Sequence, residues 1–248
     1  MTARSPDEHV HLAVRAWRID PRRAIVVGAA CWLGFVVMAW LVHSGRIDGF
    51  DAAGLRLFRR DGDLGLSGSP GWAEAVRDIS ALGGVVLRWL FTLAAVVALA
   101  FLRMKREAVL LTATVLSGLA VELGLKLLFG RPRPELVPHL TDATGMSFPS
   151  GHSFNSALGF IAVALAFATL SRREPVRITV IAAALAVSML VAVSRVALGV
   201  HYPSDVIAGW LGGAGWAFLA AGLFHQPASA FSETAPPAEI RPDALLPD

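Results

Sequence analysis

Six apolar stretches, each about twenty residues long, recur along the chain at 24–43, 82–102, 108–129, 151–170, 178–193 and 206–224. As an α-helix, a stretch of that length crosses a hydrocarbon core of about 30 Å with its backbone groups paired internally. The pattern predicts an all-α protein, a bundle of six transmembrane helices. Between the first two stretches lies a mixed polar segment, 44–81, with five Arg and six acidic residues. There Phe50, Gly54, Leu57 and Phe58 fit one helical stripe, and Trp72, Val76 and Ile79 another. Ser69-Pro70 reads as a helix start. Short amphipathic helices on the membrane surface are expected in this first outward loop, with an ordinary structured loop as the alternative.

The flanks differ in character. Val10, Val14 and Trp17 sit at helical spacing among the charges of residues 8–19, which suits an interfacial helix or an unstructured leader. The tail from His225 holds five prolines and four acidic residues and reads as disordered. The division expected is a cytoplasmic leader (1–23), a six-helix membrane domain (24–224) and a disordered cytoplasmic tail (225–248). The first stretch follows a charged leader, is too long for a signal-peptide core and has no cleavage-like site after it, so it reads as a retained helix.

Composition agrees: 55% of residues are hydrophobic, and mean hydropathy is +0.58. A net charge of +3 could suggest nucleic acid, but the basic residues flank the apolar stretches, where they set membrane orientation. The partner implied is therefore the bilayer and a lipid within it. No nucleic acid is implied and no obligate protein partner is evident. The leader and the turns at 103–106 and 172–177 are rich in Arg and Lys. The positive-inside rule puts both termini in the cytoplasm and faces 44–81, 130–150 and 194–205 outward, toward the periplasmic or extracellular side of a cell (inner) membrane. Arg131, Arg133 and Arg195 break that rule, and mark where chemistry should be sought. Cys31 is the sole cysteine, which excludes a disulfide and a thiolate cluster.

Three clusters share the outward side: Lys126 with Arg133-Pro134; Pro149-Ser150-Gly151-His152 opening the fourth stretch; and Ser194-Arg195 with His201 and Asp205. Lys126, Arg133 and Arg195 are cations with few carboxylates nearby, the composition of a site for a multiply charged anion. Ser150 and Gly151 at a helix N-terminus add N–H groups and a favourable dipole. Together they suit a phosphoryl group that gains charge in the transition state. Asp205, four residues beyond His201, can accept one ring N–H and leave the other nitrogen free to attack, while His152 serves as general acid. That scheme predicts a phosphohistidine intermediate and a bell-shaped pH profile. Each cluster alone also fits a bland use: a loop-to-helix start, snorkelling cations, or an interfacial hydrogen-bonded pair.

Taken together, Lys-x6-Arg-Pro, Pro-Ser-Gly-His and Ser-Arg-x5-His-x3-Asp over 126–205 resemble the type 2 phosphatidic-acid phosphatase superfamily, with no position departing from its pattern. The resemblance implies a membrane lipid phosphatase that uses no cofactor and no metal. It implies His201 as nucleophile, Asp205 as its orienter and His152 as leaving-group acid. Lys126, Arg133, Ser150, Gly151 and Arg195 would hold the phosphate. Soluble vanadate-dependent haloperoxidases share that superfamily, and six spans set this chain apart from them. Substrates implied are polyprenyl diphosphate first, then phosphatidylglycerol phosphate, phosphatidate or a lipid A phosphate; a non-enzymatic carrier or flippase for an anionic lipid is the alternative. Two supporting residues stand beside the motifs. Glu122, one turn before Lys126, is expected to pair with it or with Arg88, and Arg131 is either a fourth cation for a diphosphate or an interfacial anchor.

Overall fold

The computed structural model describes residues 20–168, 170–171 and 173–224. The leader helix read at 8–19 and the tail from 225 lie outside them. The described residues fold into eight helices: α1 (Pro21–His43), α2 (Asp48–Leu57), α3 (Pro70–Ala81), α4 (Val85–Phe101), α5 (Lys105–Phe129), α6 (Gly151–Ala168), α7 (Glu174–Ala197) and α8 (Pro203–Leu223). Five of them (α1, α5, α6, α7 and α8) are long and apolar enough to cross a membrane, and the count rises to six if α3 with α4, bent by 48° at their junction, is taken as one span. The segment 44–81 holds two short helices, as its periodicity predicts.

Local chemistry sets several boundaries. Asp20 caps α1 by accepting from the Arg22 N–H at 2.9 Å, with Pro21 at the first helical position. Gly130 closes α5 in the left-handed conformation, φ +57°.

Small residues bring α8 close to its neighbours, beside a core of larger side chains that includes Phe154, Leu158, Ile161 and Leu165. α8 lies between α6 and α1 and buries Ala208, Gly209, Gly212, Gly213, Ala214 and Ala217. A Cβ at Gly209 would stand 2.5 Å from the Ser150 carbonyl oxygen, and one at Gly213 would collide with that of Phe154. Lipid tails are as apolar as Leu, so close backbone approach drives association, and large apolar side chains such as Leu33, Trp40, Val86 and Phe101 face outward.

The end of α7 moves from the sequence reading. α7 runs four residues past the apolar stretch, so Ser194 and Arg195 occupy its last turn rather than a loop. In α2, Phe50 and Leu57 of the apolar stripe are exposed, while Asp51 and Leu55 are buried.

Candidate active site

The site forms at one end of the bundle, where the C-terminal ends of α5 and α7 and the N-terminal ends of α6 and α8 meet the 130–150 and 198–202 connections. Asp205 sits in the first turn of α8 and accepts the Tyr202 N–H at 3.0 Å, while its own carbonyl accepts the Ser150 N–H at 3.0 Å. The second and third motifs are thus joined by backbone. His201, just before α8, is 1% exposed and holds its Nδ1 3.6 Å from Asp205 Oδ2. The Ser147 hydroxyl lies between them, donating to Asp205 Oδ2 at 2.5 Å and standing 3.2 Å from His201 Nδ1.

Arg133 fixes the tautomer. Its Nη1 approaches His201 Nε2 at 3.1 Å, and a guanidinium can only donate, so Nε2 carries the lone pair and Nδ1 the proton. Backbone carbonyls of Val200 (2.8 Å), Gly145 (3.1 Å) and Thr144 (2.7 Å) hold the guanidinium in place. Burial pushes the His201 pKa down to about 4; Asp205 opposes the shift and Arg133 and Arg195 add to it. The imidazole is therefore neutral at ordinary pH.

The other cations converge on this point. Lys126 pairs with Glu122 at 3.5 Å, as its spacing suggests, and donates to the Met146 carbonyl at 3.1 Å. Buried Arg195 donates to Ser80 Oγ of α3 at 2.6 Å, and its Nε has no partner. His152, second residue of α6, is within electrostatic range of Arg195, His201, Arg88 and Arg133. Gly151 has a steric reason: a Cβ there would meet Glu122 Oε1 at 2.8 Å. Buried Ser150 accepts from Ser153 Oγ at 3.0 Å.

Arg131 is engaged elsewhere. Its Nη1 donates to Asp205 Oδ1 at 2.7 Å and to Ser204 Oγ at 2.8 Å, and its Nη2 to Asp51 Oδ2 at 2.8 Å. Tyr202 stacks on it with 4.1 Å from guanidinium carbon to ring centroid. Burial lowers the Arg131 pKa, but Asp205 and Asp51 outweigh it and the net shift is upward. Of the two uses expected of Arg131, a fourth cation for a diphosphate or an interfacial anchor, the contacts seen are with protein carboxylates, Asp51 and Asp205. Asp51 also accepts the Ser204 N–H at 2.9 Å and its hydroxyl at 2.6 Å, satisfying a first-turn donor of α8.

Ser147, Asp51 and Ser80 lie outside the sequence-derived set. Ser147 stands three residues before the Ser150 position, but nothing in its spacing announces a bridge to His201. Asp51 and Ser80 act across distant segments. No group of three or more His, Cys, Asp or Glu side chains suited to a metal ion occurs among the described residues.

The model of the PAP2 superfamily matches residues 106–227. Among curated proteins, the chain is 36% identical over 150 residues to a lipid A 1-phosphatase of Rhizobium etli, covering 57% of this chain and 60% of that one. It is 31% identical over 143 residues to a decaprenylphosphoryl-5-phosphoribose phosphatase of Mycobacterium tuberculosis, covering 56% of this chain and 73% of the relative. The match spans less than two thirds of the length of the lipid A 1-phosphatases. Among solved structures, a transmembrane PAP2-type phosphatidylglycerolphosphate phosphatase of Bacillus subtilis superposes with a TM-score of 0.70 at 26% identity, over 79% of this chain and 94% of that one.

Proposed function

The chain belongs to the PAP2 superfamily, and from that membership we propose that it hydrolyses the terminal phosphate of a membrane lipid through a phosphohistidine on His201. The observation that carries this reading is the buried imidazole of His201, whose Nε2 stands 3.1 Å from Arg133 Nη1. A phosphate bound by Arg133 brings its phosphorus to that nitrogen.

Nε2 forms the N–P bond as the P–O bond to the lipid breaks. The bond's electron pair leaves with the lipid oxygen, to which His152 gives a proton. Water then attacks the phosphorus with His152 as base, the N–P bond breaks, and orthophosphate departs with the imidazole restored. Lys126, Arg133, Arg195 and the N-terminus of α6 hold the equatorial oxygens, whose charge grows in each transition state. Asp205, through Ser147, keeps the proton on Nδ1 and stabilises the cation that forms. The scheme assigns no step to a metal. By the positive-inside rule the site faces outward and both termini are cytoplasmic.

A polyprenyl diphosphate is the first candidate substrate, ahead of phosphatidylglycerol phosphate, phosphatidate and a lipid A phosphate. The test is phosphate release by the purified protein in detergent with EDTA, over these lipids and a water-soluble ester. Release from a lipid that survives EDTA supports the reading. Binding without release from any of them turns it into that of an anionic-lipid carrier.

Two further results are expected. Ser147→Ala removes the hydroxyl between His201 and Asp205, and should lower kcat by roughly 10–100-fold with KM little changed; an unaltered kcat contradicts the bridge. In the pH profile of kcat/KM, a nucleophile with its pKa lowered to about 4 loses its proton early. The acid limb assigned to His201 should lie below about pH 5 rather than near the ordinary histidine value of about 6.5, and in kcat, with the phosphate anion bound beside His152, the rate should fall again at high pH as the general acid deprotonates. A flat profile from acid to alkaline pH contradicts the two-histidine scheme.

A further inference from the structure

On the membrane side of His152 lies a pocket of about 80 Å³ between α4 and α6. Ser156, Gly159 and Val163 line it from α6 at positions one, two and three turns below His152, so they continue the face that carries that ring. Across from them α4 supplies Arg88, Phe91 and Thr92. The upper end is tied to the site, because the His152 ring carbon Cδ2 stands 3.5 Å from a Cβ placed at Gly83, in the junction that leads into α4.

The pocket is apolar in its body and polar at its head. Phe91 and Phe160 pack with ring centroids 5.9 Å apart. Two buried polar atoms in its lining lack partners: Nε of Arg88 and Oδ1 of Asn155, a residue only 4% exposed. Such groups within an apolar bundle are costly unless something pairs with them. Glu122 acts on Arg88 electrostatically but is itself paired with Lys126, and the ring of Trp89 lies 5.9 Å from the Arg88 guanidinium carbon. An Asn amide can offer its NH₂ by a half-turn, so Arg88 and Asn155 are together equipped to hold an anion.

Resting on the phosphatase reading above, we propose that Arg88 and Asn155 form a second phosphoryl subsite on the leaving-group side of His152, and that the preferred substrate is a lipid diphosphate. The leaving oxygen must lie at His152, the group that protonates it. Whatever that oxygen is attached to then occupies the α4/α6 pocket, with the lipid chain running on past Phe91 and Phe160 into the hydrocarbon. In a diphosphate the atom beyond that oxygen is a second phosphorus, which falls beside Arg88. In a monophosphate it is carbon, and the Arg88 cation goes unmatched.

The experiment compares hydrolysis of a polyprenyl diphosphate and of the monophosphate of the same chain by the full-length protein in detergent. Variants are Arg88→Ala, Arg88→Lys and Asn155→Leu, each with its thermal melt recorded. Arg88→Ala should reduce the ratio of the two kcat/KM values, diphosphate over monophosphate, by about tenfold or more, mainly through the KM of the diphosphate. Arg88→Lys should keep most of the ratio, and Asn155→Leu should lower it severalfold. A ratio unchanged in both Arg88→Ala and Asn155→Leu, with release by wild type intact, overturns the subsite and leaves the phosphatase reading standing. Wild-type release from neither lipid overturns the diphosphate subsite, and release from phosphatidylglycerol phosphate, phosphatidate or a lipid A phosphate then decides whether the phosphatase reading stands. Because each ratio is taken within one variant, a general loss of folded protein cancels from it.

Discussion

His201→Ala should abolish phosphate release from every lipid phosphate, by at least about 10⁴-fold in kcat, with lipid binding largely kept. Losses of that order follow when a nucleophile is removed and only the electrostatic cradle remains. The cradle should survive. Arg133 is held by the carbonyls of Val200, Gly145 and Thr144 independently of the imidazole. Lys126 is held by Glu122 and the Met146 carbonyl, and Arg195 by Ser80. The measurement is single-turnover phosphate release beside a binding isotherm for the same lipid. Release within tenfold of wild type would show that water attacks phosphorus directly and that His201 only positions the substrate.

The largest stability effect is expected at Arg131. This guanidinium lies between Asp51 and Asp205, carboxylates whose side chains are 1% and 0% exposed, at 2.8 and 2.7 Å. Truncation to Ala leaves two buried charges facing each other with no cation between them. Breaking a buried pair in this way costs about 3–5 kcal/mol. For a chain of this size the apparent Tm in detergent should fall by on the order of 10 °C. Activity should fall as well, since Asp205 loses the donor on its Oδ1 and the first turn of α8 loses the Arg131 link to Asp51. The effects should not add: in an Asp51→Asn background one repelling charge is already gone, so Arg131→Ala should cost less by roughly 1–3 kcal/mol. A Tm unchanged in Arg131→Ala, with a selective loss of diphosphate hydrolysis, would reverse the assignment and make this residue a substrate ligand after all.

Fold and site differ in how much of each is legible in the sequence. Run length exposes the membrane spans because the hydrocarbon core dictates it. The end of α7 escapes that criterion. Ser194 and Arg195 are polar, so the apolar stretch stops before them, yet the helical hydrogen bonds run on to Ala197. The inward face of α2 is not legible from its stripe, for a reason particular to membranes. An apolar stripe marks the protein-facing side only where the other side meets water. Here Phe50 and Leu57 are free to face outward, and the residue turned inward is Asp51, whose carboxylate caps α8. The motif residues are legible because the ligand proposed for them, a phosphoryl group, calls for cations, a helix N-terminus and two histidines at once. Ser147 and Ser80 are not. A serine carries no signature of its own, and their roles arise from contacts 54 residues (Ser147 to His201) and 115 residues (Ser80 to Arg195) away in the chain. Arg88 stands between these cases: its position in an apolar stretch flags it, but the pocket beside it appears only when α4 and α6 are packed.

The central claim is that phosphorus changes partners twice, first to His201 Nε2 and then to water, and its stereochemistry tests that most directly. A lipid phosphorothioate made chiral with one heavy oxygen isotope is hydrolysed in water carrying another, and the configuration of the released thiophosphate is read. Two in-line displacements predict net retention. Net inversion would contradict the account, because it requires a single displacement by water with no phosphohistidine between.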